Sequence, residues 1–140
     1  MTEVITPKIW GPHIWQTMHY ISLGYPNNPT EEDKHNYKSF FLLLKNVLPC
    51  KICSNHYHQN LNSLPLTDNI LSNKNNLIKW VIDLHNIVNK MKNKDILSYD
   101  EAMRHITKNR LCNHNNNIIL WIMLIVLSIL IIIAFYMKKR

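Results

Sequence analysis

Twenty consecutive residues, Ile118 to Met137, carry no charge. At about 1.5 Å per residue a helix of that length spans roughly 30 Å, the hydrocarbon thickness of a bilayer. Trp121 near one edge and Tyr136 near the other suit the aromatic belts at the two interfaces. No polar face runs through the stretch, which sets it apart from a core helix of a soluble domain. The expectation is a single-pass C-terminal membrane anchor over 118–137 with a basic tail at 138–140. The residues before it suffice for one small domain, not two.

Setting aside Lys138, Lys139 and Arg140 leaves thirteen Lys and Arg against nine Asp and Glu, so that domain is only mildly basic. No cationic cluster is interleaved with aromatics, and no nucleic-acid partner is expected. Gly11 and Gly24 are the only glycines, which excludes a phosphate cradle built on repeated glycines. Met1 to Ile9 has no charged start, apolar core and small-residue cleavage site, so no secretory signal is expected. Insertion then follows synthesis and leaves the domain on the cytosolic side.

Helix signals fill the soluble part. Pro12 is placed in a first turn, with Trp10, Ile14 and Met18 at four-residue spacing and Trp15 with His19 beside them, predicting a helix over 12–22. Pro26 and Pro29 make a loop. Thr30, followed by Glu31, Glu32 and Asp33, caps the next helix, whose apolar face is Tyr37, Phe40, Phe41, Leu44 and Leu48. Pro49 ends it and opens another, running to about Leu61 with a cysteine pair in its first turn. Ser63 to Asn76 reads as polar and irregular. A long helix follows with Leu77, Trp80, Val81, Leu84, Val88 and Met91 on one face. Ser98 and Glu101 form a capping box for a last short helix through Ile106. The fold class is all-α, a bundle of about five helices over 1–112, with Asn113 to Asn117 as linker to the anchor.

Three cysteines are too few for a disulfide scaffold, and Cys50-Lys51-Ile52-Cys53 has the spacing of redox or metal chemistry. The start of a helix favours a thiolate, and Lys51 adds positive charge. Zinc shares this spacing, with His56 and His58 downstream as further ligands, so a metal-binding adaptor stays open at this point. A second constellation, His85, Asn86 and Asn89, puts an imidazole and two amides on an otherwise apolar helix. Either this is a solvated face, or a polar cofactor lies against it and supplies the partners that buried polar groups need.

Four motifs follow in order: Trp10-Gly11-Pro12-x-x-Trp15-x-x-x-His19, Tyr25-Pro26, Pro49-Cys50-x-x-Cys53, and Trp80-x-x-x-x-His85-Asn86-x-Val88-Asn89 with Lys94 five residues on. Over roughly residues 8–106 this resembles the FAD-linked sulfhydryl oxidases of the Erv/ALR family, most of all those of large cytoplasmic DNA viruses. The resemblance implies an enzyme that oxidises dithiols to disulfides and passes electrons through FAD to oxygen, giving hydrogen peroxide. It implies that Cys53 is the flavin-proximal cysteine and that Cys50 exchanges with incoming thiols. Gly11, Trp15 and His19 would line the FAD site. His85, Asn86, Val88, Asn89 and Lys94 would hold the adenine and ribose-phosphate portion, and no metal is implied. A homodimer and a small thioredoxin-like or Cys-x-x-Cys dithiol partner are also implied, on a host membrane or in a virion.

The chain departs from the cellular members in two ways. Ile82 and Tyr99 stand where those members often carry a structural disulfide, and no second shuttle pair of cysteines is present. Cys112 is left over, with three open uses: an inert thiol, a link between subunits, or a transient mixed disulfide.

Overall fold

The computed structural model describes residues 6–139, without the side chains of 109–119 and Ile132. The side chain of Cys112 and those of the expected linker 113–117 lie outside the described residues, as do residues 1–5 of the N-terminal segment in which no signal was expected. The described residues form five α-helices and one 3-10 turn: α1 (Pro7–Gly24), α2 (Glu31–Val47), α3 (Lys51–Ser63), the turn Ile70–Ser72, α4 (Lys74–Met91) and α5 (Tyr99–Lys138). No strand occurs among them. The chain makes two compact units, one through Ala102 and one from Met103 on.

In the first unit α1 packs on α4 and α2 on α3, with the 3-10 turn against α4 and α2. The capping box at Thr30 forms as expected. Its hydroxyl accepts from the Asp33 N–H at 3.1 Å and the Asp33 carboxylate accepts from the Thr30 N–H at 2.8 Å, satisfying two of the orphan donors of a helix start. The box at Ser98 and Glu101 forms likewise.

The apolar stripe of α4 carries the core. Leu77, Trp80, Val81 and Leu84 are buried with Met18 of α1, Phe41 and Leu44 of α2, and Tyr57 and Leu61 of α3. Phe41 meets Trp80 edge-on at 5.3 Å. The polar tips of the core aromatics are satisfied by backbone: Trp80 Nε1 donates to the Leu64 carbonyl, Tyr57 Oη to that of Phe41 and Tyr25 Oη to that of Leu71.

Three sequence expectations change. First, α1 opens at Pro7, and Pro12 lies inside the helix. Pro7 takes the early position where a missing N–H costs nothing. The carbonyl that Pro12 leaves unpaired belongs to exposed Lys8, where water reaches it. Second, the stretch 63–76, expected to be polar and irregular, also supplies core residues: Leu66 and Leu71 are buried, and Leu64 and Ile70 pack against the core. Third, the helix expected to stop at Ile106 is the beginning of α5, which runs unbroken to Lys138; no glycine or proline interrupts 99–138. Within it Leu120–Lys138 is long and apolar enough to cross a membrane, and none of its described residues is buried in the protein.

Candidate active site

The sequence puts Pro49 between two helices, and the structure uses this break to present the cysteine pair. Leu48 is the C-cap of α2 and Cys50 the N-cap of α3. The two cysteines are joined by a disulfide, with Cα atoms 5.2 Å apart. The Cys50 sulfur accepts from the Cys53 N–H at 3.2 Å, so the helix terminus points its partial positive charge at that atom. The Ser54 hydroxyl donates to the Lys45 carbonyl, tying the first turn of α3 to the last turn of α2.

The two cysteines face different surroundings. Cys53, without Cys50, lines a cavity of about 180 Å³ walled by α1, α2, α3 and α4. Its lining is mainly apolar: Trp10, Ile14, Met18, Leu44, Leu48, Val88 and Met91. Of the sequence candidates, Gly11, Trp15 and Val88 lie on this wall. A Cβ at Gly11 would meet nothing within 4 Å, so the space beside it is open.

Trp15 leads from the cavity to the histidines. Its ring stacks on His85 with centroids 4.0 Å apart and planes 2° from parallel. His19 Nε2 lies 3.0 Å from His85 Nδ1, so one ring donates and the other accepts. That leaves His19 Nδ1 buried with no hydrogen-bond partner. Burial lowers the His19 pKa from 6.5 to about 4. For His85, burial first and then the positive charges of His19, Lys94 and Lys92 lower it to about 4 as well. Both rings are therefore neutral at physiological pH.

Asn86 has a different surrounding. Its Nδ2 donates to the Leu97 carbonyl at 2.8 Å and its Oδ1 accepts from the Leu97 N–H at 3.1 Å. The partners that the sequence left to a cofactor are thus the protein's own backbone, and Asn86 clamps the segment after α4. That segment leaves the helix through a Schellman turn. Asn93 takes φ +52°, its N–H donates to the Lys90 carbonyl and the Lys94 N–H donates to that of Asn89. The turn brings Lys92 to the cavity wall, while Lys94 is exposed and acts on His85 through its charge. The Asn89 side chain is half-buried beside Asn86, at 3.5 Å.

Sequence reasoning missed Pro7, Trp10, Ile14, Met18, Leu44, Leu48, His56, Tyr57, Met91 and Lys92 as part of this wall. The signal for most was present, since they continue the apolar stripes of their helices. The zinc alternative needs Cys50, Cys53, His56 and His58 to converge. The two sulfurs are bonded to each other, and among the described residues no three metal-ligating side chains gather.

Residues 12–111 match the Erv1 / Alr family. A probable FAD-linked sulfhydryl oxidase of Acanthamoeba polyphaga mimivirus is 48% identical over 104 residues, 74% of this chain and 73% of the relative. A FAD-linked sulfhydryl oxidase of African swine fever virus is 34% identical over 92 residues, covering 66% and 75%. Among solved structures, one of Erv1 from Saccharomyces cerevisiae superposes with a TM-score of 0.68 at 18% identity, over 77% of this chain and 89% of that one. Another, of the FAD binding domain of the same yeast protein, gives 0.64 at 22%, over 69% and 89%. At these identities the structural likeness shows the fold.

Proposed function

Because this chain belongs to the Erv1 / Alr family, we propose that it is a FAD-linked sulfhydryl oxidase whose electrons enter at Cys50 and leave through Cys53. One observation carries the assignment of roles: of the two bonded cysteines, only Cys53 lines the apolar cavity.

The residues around the cavity fit a flavin nucleotide. Apolar walls suit a flat ring system, the Trp15–His85 stack offers a second flat surface, and Lys92 at the wall supplies positive charge for phosphate. His19 Nδ1, buried and unpartnered, is a polar atom that a bound group would satisfy. In this reading Gly11, Trp15, His19, His85, Val88, Asn89 and Lys94 contribute to holding the cofactor, and Asn86 acts through the segment it clamps.

A thiolate of the partner attacks the Cys50 sulfur, forming a mixed disulfide and releasing Cys53 as thiolate. The partner's second thiolate then attacks the mixed disulfide, leaves oxidised, and releases Cys50 reduced. Two electrons now reside on the pair, and two protons have left the substrate thiols. The Cys50 thiolate is stabilised by the Cys53 N–H and the helix terminus. FAD, held by the residues of the cavity, would supply the redox chemistry for passing these two electrons to oxygen as hydrogen peroxide. The protein's part is to keep Cys53 on the apolar cavity wall and Cys50 off it.

The full chain purified in detergent should be yellow, with stoichiometric FAD, and should consume oxygen as dithiothreitol is oxidised, with equimolar peroxide. A colourless protein without thiol turnover overturns the reading. The same reading takes the enzyme as a homodimer anchored by 118–137 with its redox domain in the cytosol, where a dedicated oxidase has a purpose because glutathione holds other thiols reduced. In intact membranes an N-terminal tag should then be digested by protease and a C-terminal tag protected.

A further inference from the structure

The two sulfurs freed by exchange are not equally provided for. The N-terminus of α3 serves the outer one, because the Cys53 N–H points at the Cys50 sulfur. Cys53 itself lies on an apolar wall, where desolvation favours a neutral thiol over a thiolate. A charged partner for it would have to come from the same wall. Among the described residues there, α1 and α2 bring no ionisable side chain, and α4 brings one, Lys92. From α3 come Tyr57, whose hydroxyl donates to the Phe41 carbonyl, and His56. His56 follows Cys53 by three positions on the same helix, a spacing that puts two side chains on one face. It is also exposed, so it borders both the cavity and solvent.

We propose that His56 is the proton partner of Cys53, holding its sulfur as a thiolate until the two electrons of the reduced pair leave. The inference rests on the oxidase reading and adds a residue to its mechanism. An imidazole takes up and releases a proton near neutral pH, and pairing with one is an established way to keep a cysteine ionised. Of the two protons that leave the substrate thiols, one is then held on the His56 ring beside the Cys53 sulfur. It returns to solvent when the Cys50–Cys53 bond re-forms and the two electrons pass to bound FAD. Lys92 lies on another helix and is placed to meet phosphate, so it adds charge to the wall without sharing the face of Cys53.

The test uses the full-length Cys50→Ser chain, loaded with FAD in detergent, in which Cys53 has no disulfide partner. A Cys53 thiolate against oxidised FAD should give a long-wavelength absorbance band, and titrating that band with pH reads the ionisation of this one sulfur. Adding His56→Asn should raise the midpoint by about one pH unit or more, and His56→Glu should raise it further, because a like charge opposes the thiolate. His56→Lys should bring the midpoint back down by restoring a positive charge, a rescue that a packing role would not produce. A midpoint unmoved in all three variants overturns the inference. A midpoint raised by Lys92→Gln and not by His56→Asn overturns it as well and gives the supporting charge to α4. FAD bound to Cys50→Ser with no band at any pH overturns it together with the placing of Cys53. A colourless wild type without thiol turnover overturns the oxidase reading beneath it.

Discussion

The first three turns and the last two turns of α4 carry one apolar stripe, yet they end in opposite conditions. Leu77, Trp80, Val81 and Leu84 are closed off by the core, and the Trp80 N–H finds a carbonyl. One and two turns further on, Val88 and Met91 face a cavity, and His85 joins a histidine pair with one nitrogen left unpartnered. A stripe of constant chemistry thus passes from packing that is complete to packing that awaits something. The incomplete end is where the disulfide, the stacked Trp15 and the cationic turn converge, so the difference locates the site independently of any motif.

The largest expected effect breaks the cavity end without touching the core. Cys53→Ser should lower dithiol turnover by about 1,000-fold or more while the flavin stays bound and the melting temperature is kept, because without Cys53 there is no Cys50–Cys53 disulfide for the partner to attack and no thiolate on the cavity wall to pass electrons on. Cys50→Ser should stop turnover equally but leave Cys53 reduced against the cavity. The reading of inner and outer cysteine then expects a long-wavelength absorbance band only in the second variant. The band appearing in the first variant instead would reverse the two roles.

Substitutions along the stripe sharpen the comparison through stability. Leu77→Ala removes fully buried carbons and should cost about 2–5 kcal/mol, the same with and without FAD. Val88→Ala, whose side chain already borders empty space, should cost less in the FAD-free protein, because atoms beside a void have fewer contacts to lose. Its larger effect should appear in the loss of the stabilisation that FAD confers by mass action. Equal costs for both, measured by urea unfolding of stripped and loaded protein, would mean the two ends do not differ.

These contrasts were partly legible beforehand. Thr30 with Asp33, Ser98 with Glu101, the stripe from Leu77 to Met91 and the cysteines at a helix start are local patterns, and local physics fixes them. Leu66 and Leu71 were not legible. They sit among polar residues without periodicity and are buried by long-range contacts such as the bond from Tyr25 to Leu71, 46 residues apart. The end of α4 was hidden for a different reason. No glycine or proline follows Pro65, so the helix stops at Asn93 by adopting a left-handed conformation that asparagine tolerates. The role of Asn86 was obscured with it, since its partner, Leu97, lies beyond that turn.

Acid should weaken the cavity end selectively. Above about pH 6.5 His19 and His85 are neutral whether folded or unfolded, and they cost the fold nothing. Between pH 6.5 and about 4 the unfolded chain binds protons that the buried pair excludes, so stability falls with pH; below about 4 the folded rings protonate and the loss levels off. The rings share one hydrogen bond, so the titration belongs to the pair. The loss across the window should be on the order of 3 kcal/mol for each ring, about twice that for the pair. His85→Gln should flatten that slope by about half in FAD-free protein, and an unchanged slope would place the acid sensitivity elsewhere.

The smallest effect separates clamp from cofactor contact on neighbouring residues. Asn86→Ala removes both hydrogen bonds to the Leu97 backbone and should cost about 1–2 kcal/mol in FAD-free protein. Asn86→Asp keeps an acceptor for the Leu97 N–H but turns a second oxygen toward the Leu97 carbonyl, so it should recover only part of that loss. Asn89→Ala, by contrast, should leave the FAD-free protein nearly unchanged and lower FAD content. If Asn86 acted on the cofactor directly, Asn86→Ala would resemble Asn89→Ala, with FAD content reduced and FAD-free stability untouched. If it acts through the segment it holds, FAD content should fall in step with the order of residues 92–97, which amide hydrogen exchange at Leu97 reports in the FAD-free protein.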